Sequence, residues 1–202
     1  MCKFFSAILT RDENLISNPF TSSHEDLIDE ANLIDNEFHQ DKFIRLEFSP
    51  EKDADLACIE KYVLTVDENQ IPDWFTEEVK ERAINRLTNI LNKIIIKDNR
   101  KILIGQVAIL ADGVIINKII DSRILIMCGS SVVRRMYSSS VVQRMCNSSI
   151  VNEMYDSSIV QGMYDSSVVQ RMYDSSIVQG MCDSSIVRRM YGSSVVQRMY
   201  DS

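Results

Sequence analysis

The chain has 202 residues, of which 45% are apolar and 25% charged, and carries a formal net charge of −7. This length and apolar content suit one or two packed cores, while the negative balance and the lack of a basic stripe argue against direct binding of nucleic acid. No apolar run reaches the roughly 18 residues of a membrane span and no leader-type segment is evident, so no membrane association is expected; five irregularly spaced cysteines suit a reduced, cytoplasmic setting.

The first 110 residues contain no repeat and are rich in acids. Residues 3–10 form an apolar strand that ends at Arg11-Asp12-Glu13-Asn14. Ser22 or Ser23 caps a short helix through Leu33, with Glu25 or Asp26 completing a capping box. Phe43 to Phe48 alternates as a strand, and Tyr62 to Val66 is another. Pro72-Asp73-Trp74-Phe75 opens the clearest helix, whose stripe is Val79, Ala83, Leu87, Ile90, Leu91 and Ile94. Residues 101–110 read as one strand and Asp112-Gly113 as a hairpin-type turn; residues 114–120 begin the C-terminal repeat region or lead into it.

From Met127 onward a nine-residue unit, roughly Met-Tyr-Asp-Ser-Ser-Val-Val-Gln-Arg, recurs without insertion. Fixed-period self-similarity implies stacked units, none able to bury its apolar face alone. Nine residues make two and a half helical turns, which leaves no single buried stripe, and Ser-Ser beside paired β-branched residues favours a pleated surface. A β-solenoid is therefore expected. Its coil length follows from the variable positions. Cys replaces Tyr after Met only at Cys128, Cys146 and Cys182, all multiples of eighteen apart, and Gly162 and Gly180 are eighteen apart too. The intervening Tyr137, Tyr155, Tyr173 and Tyr191 form an unbroken series, so two units make an eighteen-residue coil with two sheets. Duplication of a two-unit segment would leave the same correlation. The expected fold is an α+β N-terminal domain (1–110), a lead-in (111–126) and an all-β solenoid (127–202).

Invariance separates inside from outside. Met and the second Val of each pair do not vary, whereas the first alternates between Val and Ile, and a close-packed interior tolerates no such change of volume. Alternation then points the second Ser and second Val inward. The outward row is Val132, Val141, Ile150, Ile159, Val168, Ile177, Ile186 and Val195, flanked by Tyr137, Tyr155, Tyr173 and Tyr191, a candidate contact surface or an ordinary solvated face. The unit breaks off at Met199, Tyr200, Asp201 and Ser202, and an uncapped rung presents unpaired backbone groups; pairing of two such ends in a homodimer is expected. Calcium-binding nonamers need Gly-rich loops that this chain lacks, and bulky outward Val and Ile disfavour ice binding.

Little in the sequence carries chemistry. Cys2 is the leading catalytic candidate, since removal of Met1 would give it an N-terminal amine as base, but a core cysteine at a strand start is the plainer reading. His24 and His39 with Cys2 and Cys58 show no zinc-site spacing, so no metal or cofactor is expected. Asp67-Glu68, Asp73 and Glu77-Glu78 cluster near a helix start, where they complement its dipole. No phosphate loop, dinucleotide fingerprint or Cys-x-x-Cys is present.

The opening Met1-Cys2-Lys3-Phe4-Phe5-Ser6-Ala7-Ile8, with Ser23-His24-Glu25-Asp26-Leu27-Ile28 and Pro72-Asp73-Trp74-Phe75, resembles a group of uncharacterised phage-type and gut-bacterial proteins that also append tandem Met-Tyr-Gly/Asp-Ser-Ser-x-Val units. The resemblance covers nearly the whole chain, diverges at residues 14–20 and 34–41, and implies a mobile-element origin and a host-cell cytoplasmic location without a mechanism. Three function classes remain. The first is a non-enzymatic interaction protein whose solenoid self-associates or displays a surface to an unidentified host protein. The second is a counter-defence or DNA-mimic inhibitor acting through the acidic domain: residues before Met127 carry −8 and the repeat +1. The third is an enzyme using Cys2 or a carboxylate pair.

Overall fold

The structure is a computed structural model that describes residues 5–21, 23–35, 42–51 and 58–200. The chain divides into two compact units, Met1–Lys93 and Ile94–Ser202.

The first unit holds a four-stranded antiparallel sheet of β1 (Ser6–Thr10), β2 (Leu15–Ile16), β3 (Phe43–Pro50) and β4 (Tyr62–Val66), ordered β2-β1-β3-β4. Register places Ile8 opposite Arg45 and Thr10 opposite Phe43, so Ser6, Ile8, Phe43, Arg45 and Glu47 share one face. On that face Ile8 and Phe43 pack with Leu27 and Ile28 of helix α1 (His24–Glu30). The other face is buried as well, through Ala7, Leu9, Ile44, Leu46 and Phe48.

Ser23 caps α1 by accepting from the Asp26 amide at 3.2 Å. The capping box is rerouted: the Asp26 carboxylate accepts from the Thr21 hydroxyl at 2.6 Å, and the same hydroxyl oxygen accepts from the Ser23 amide. The helix stops at Glu30, short of the expected Leu33, because Asn32 turns left-handed at φ +53 and the Leu33 amide bonds back to Ile28. Helix α2 (Glu77–Ile94) begins later than Pro72, just after Thr76, whose hydroxyl accepts from the Val79 amide at 3.4 Å. Its Val79, Ala83, Leu87 and Leu91 are buried as the stripe requires, while Ile90 and Ile94 are half-buried. Arg82 clamps Glu13 bidentately, at 2.8 and 2.6 Å, and holds that carboxyl below its usual range.

The second unit is a parallel β-solenoid of about six coils over residues 95–196. One sheet, hereafter the first, stacks β6 (Arg100–Ile104), β8 (Ile115–Ile120), β10 (Val132–Tyr137), β12 (Ile150–Met154), β14 (Val168–Met172) and β16 (Ile186–Val187). The second stacks β5 (Ile95–Ile96), β7 (Val107–Leu110), β9 (Arg123–Met127), β11 (Val141–Met145), β13 (Ile159–Met163), β15 (Ile177–Met181) and β17 (Val195–Val196). Val133 lies opposite Val151 and Met136 opposite Met154, so the eighteen-residue coil holds throughout the repeat.

The parallel coils extend upstream of the repeat. Residues 101–110 are not one strand: Gly105, at φ +59, turns the chain between β6 and β7, which lie in different sheets. Asp112-Gly113 is likewise a coil corner and not a hairpin, since β7 and β8 belong to different sheets. These early coils are shorter, Ile102 facing Lys118 and Ile115 facing Val132, and a bulge separates Ala108 from Ile109.

Inside the repeat, Val133, Val142, Val151, Val160, Val169 and Val178 are fully buried, as are Met127 through Met172 at their nine-residue positions and the second Ser from Ser131 to Ser176. Each turn has one residue in the left-handed region: Gly129, Ser138, Asn147, Asp156, Asp165, Asp174, Asp183 and Gly192. Where that residue is Asp, its carboxylate accepts the amide of its counterpart one coil earlier: Asp156 from Ser138 at 2.8 Å, Asp165 from Asn147 at 2.8 Å, Asp174 from Asp156 at 3.1 Å and Asp183 from Asp165 at 3.1 Å. Asp tolerates the left-handed turn and supplies the cross-coil acceptor, which accounts for its recurrence.

Candidate functional site

The structure separates the outward aliphatic row into two. Val132, Ile150, Val168 and Ile186 run along the first sheet; Val141, Ile159, Ile177 and Val195 run along the second. All are half-buried except Ile186 and Val195 in the last rung, which are exposed. Only the first sheet carries the tyrosine series. Tyr137, Tyr155, Tyr173 and Tyr191 stack ring on ring at 5.0, 4.9 and 5.1 Å, within 11° of parallel. The matching column of the second half reads Cys128, Cys146, Tyr164, Cys182 and Tyr200.

Charge divides the sheets more sharply than shape does. The first sheet and the chain leaving β16 carry Arg100, Lys101, Lys118, Arg134, Arg135, Arg171, Arg188 and Arg189 against a single acid, Glu153. The equivalent path on the second carries Arg123, Arg144 and Arg198. Glu153 is bracketed by Arg171 at 2.7 Å and Arg135 at 3.9 Å, and it accepts from the Tyr155 hydroxyl at 3.1 Å. Burial and that bond push the Tyr155 phenol up to about 12. The sequence-level tally of +1 for the repeat hides this stripe, because Asp residues in the turns offset the arginines on the sheet. Sorting charges by the same eighteen-residue register that sorts Cys from Tyr would have exposed it.

Among residues named from sequence, Cys2, His39, Asp201 and Ser202 lie outside the described residues. Met199 and Tyr200 are exposed, and β16 and β17 each have a strand neighbour on one side only among the described residues. Cys58, Cys128, Cys146 and Cys182 form no disulfide among the described residues; a hydrogen bond with Cys128 lowers the Cys146 thiol below its usual value despite burial.

The carboxylates grouped at a helix start part company. Only Glu77 and Glu78 lie in the first turn of α2. Glu68 accepts from the Arg45 guanidinium at 2.6 Å, and Asp35 takes its other edge. Arg45 borders an open groove of about 820 Å³ with Arg11, Asn69 and Trp74, but its charge is already neutralised there.

Asp67 instead approaches His24, its Oδ2 3.5 Å from Nδ1. Buried Glu47 completes a cluster in which one ligand-type atom from each residue lies within 4.8 Å of the others. Three elements converge here: His24 opens α1, Glu47 sits on the α1-facing side of β3, and Asp67 follows β4, its amide bonded to the Arg45 carbonyl at 2.9 Å. Nothing in the spacing of 24, 47 and 67 announces this grouping; it needs the strand register. No helix is long and apolar enough to cross a membrane among the described residues. Comparison with protein-family models, curated proteins and solved structures finds no match to this chain.

Proposed function

We propose that this is a non-enzymatic interaction protein whose solenoid holds an acidic protein partner on its first sheet, and that the N-terminal unit of a second copy is such a partner. The observation that carries the reading is the unequal charge of the two sheets, eight cations against one acid on the first. The tyrosine stack lends that face a rigid, amphipathic rib, a residue type that anchors interfaces at low entropic cost. Complementary charge is available within the chain: residues 1–93 contain ten Lys and Arg against twenty Asp and Glu. Complementary fields speed encounter and select the partner.

The test is the mass of the full chain by light scattering across ionic strength. Association at low salt that weakens towards about 0.5 M, where the screening length falls to a few ångströms, supports the reading. Reversal of Arg134 and Arg171 to Glu should abolish it. A monomer at every salt concentration, or association indifferent to the reversal, overturns it. Association that survives high salt and is lost on Met199→Asp or Tyr200→Asp would instead favour end-on pairing through the last rung.

A second reading rests on the first unit alone. A net charge of −10 over 93 residues suits an inhibitor that imitates an acidic or nucleic-acid surface. It calls for salt-sensitive capture of a basic host protein by the chain with its first sheet charge-reversed.

A further inference from the structure

Helix α1 buries His24, Leu27 and Ile28 and turns Glu25, Asp26, Asp29 and Glu30 outward, all four exposed. At about 100° and 1.5 Å per residue, these carboxylates share an arc of about 140° over about 7.5 Å of helix. Asp26 accepts from the Thr21 hydroxyl and Glu30 from the Asn18 amide, both neutral donors. None of the four holds a cation among the described residues. Elsewhere in the first unit Glu13, Asp35, Glu68 and Glu77 are already paired with Arg or Lys. The outer face of α1 is thus a patch of four carboxylates with no cation to offset them.

The early coils of the first sheet carry the opposite pattern. Ile102 lies beside Lys118, and Ile116 and Ile119 lie beside Val133 and Met136, so residues 117–118 run alongside 134–135. Lys101, Lys118, Arg134 and Arg135 thereby gather on three successive strands and, with Ile102 and Asn117, line an open cavity of about 430 Å³. Two steps of roughly 4.8 Å make that array about 10 Å long, close to the span of the α1 carboxylates. Lys101, Lys118 and Arg134 form no ion pair among the described residues, and Arg135 stands 3.9 Å from Glu153, which Arg171 holds more closely at 2.7 Å. Like charges this close repel one another, and each cluster supplies what relieves the other. We infer that this basic cavity receives the outer face of α1 from a second copy of the chain. The inference rests on the first sheet being the docking face and narrows its partner to one segment. Exposed Ile102 offers an apolar patch against which the stems of the pairing side chains pack.

The experiment is light scattering of full-length charge-reversed variants at low salt, singly and mixed. Lys118→Glu with Arg134→Glu should weaken self-association about tenfold or more, and so should Glu25→Lys with Asp29→Lys. The milder pair Glu25→Gln and Asp29→Asn should weaken it less, and circular dichroism checks that each variant folds. Mixed in equal amounts, the two reversed proteins should form a complex that neither forms alone, because the reversed cavity of one meets the reversed helix of the other. Association lost on cavity reversal but kept on helix reversal overturns this inference, yet leaves the first sheet as the docking face for another acidic surface. Two reversed proteins that fold, lose association and do not regain it on mixing also overturn it. A chain that is monomeric at every salt concentration overturns both this inference and the reading beneath it.

Discussion

Asp156 offers a perturbation in which two effects separate cleanly. It sits at φ +56, and its carboxylate accepts the Ser138 amide one coil earlier at 2.8 Å. Alanine at a left-handed position costs about 1–2 kcal/mol, and loss of an exposed hydrogen bond about 0.5–1.5 kcal/mol. Asp156→Ala should therefore destabilise by about 1.5–3.5 kcal/mol. Asp156→Gly relieves the backbone term and loses only the bond, offset in part by the flexibility it adds to the unfolded chain. Asp156→Asn keeps both the turn preference and an acceptor and should cost less than about 1 kcal/mol. The chain itself uses glycine at the corresponding turn, Gly192 at φ +68. Urea midpoints of the full chain by circular dichroism rank the three; midpoints are the safe quantity, since stacked repeats need not unfold in one step. If Asn proves as damaging as Ala, or Gly as damaging as Ala, the assignment of these aspartates as turn-and-bond residues is wrong.

Three further outcomes are expected. The Ser158 hydroxyl is buried with no hydrogen-bond partner, whereas the Ser140 hydroxyl donates to the Tyr137 carbonyl at 2.6 Å; Ser158→Ala should be neutral or stabilising and Ser140→Ala should cost about 1 kcal/mol by urea unfolding. Asp112 accepts the Ser130 amide at 2.6 Å, which holds its carboxyl below the ordinary 3.8. A depressed carboxyl stabilises the fold above 3.8 and ceases to as pH falls through the lower native value, so Asp112→Asn should lower the neutral plateau of the stability profile and flatten its acid limb, the two proteins converging at low pH. Tyr155 should ionise later than a free phenol, near 12, in an ultraviolet titration, and Glu153→Gln should bring it down by removing the neighbouring negative charge and leaving a weaker, neutral acceptor.

The inward set of the solenoid was legible because burial forbids variation: Met154, Val151 and Ser149 all follow from which positions stay constant. The eighteen-residue coil was legible for the complementary reason, that substitutions such as Cys146 and Gly162 survive where they stack on their own kind. Upstream of Met127 neither signal exists. Residues 101–110 look like one strand because Gly105-Gln106 is too short a break to reveal a corner, and the 16- and 17-residue early coils carry no shared marker. The His24 cluster was hidden further still. Its members come from a helix start, a mid-strand position and a strand end, and only antiparallel pairing of β1, β3 and β4 brings them together.

Native cysteines provide a ruler for the coil. Cys128 and Cys146 are eighteen residues apart and hydrogen-bonded to one another, and strand neighbours about 4.8 Å apart fall within disulfide reach. Cys182 lies two coils beyond Cys146, about 10 Å away, with Tyr164 between. Mild oxidation of the folded full chain with diamide, followed by peptide mapping, should yield a Cys128–Cys146 bond and leave Cys182 as a thiol. A Cys146–Cys182 bond, or no bond at all while Cys128 and Cys146 remain open to alkylation, would contradict a solenoid of two nonamers per coil.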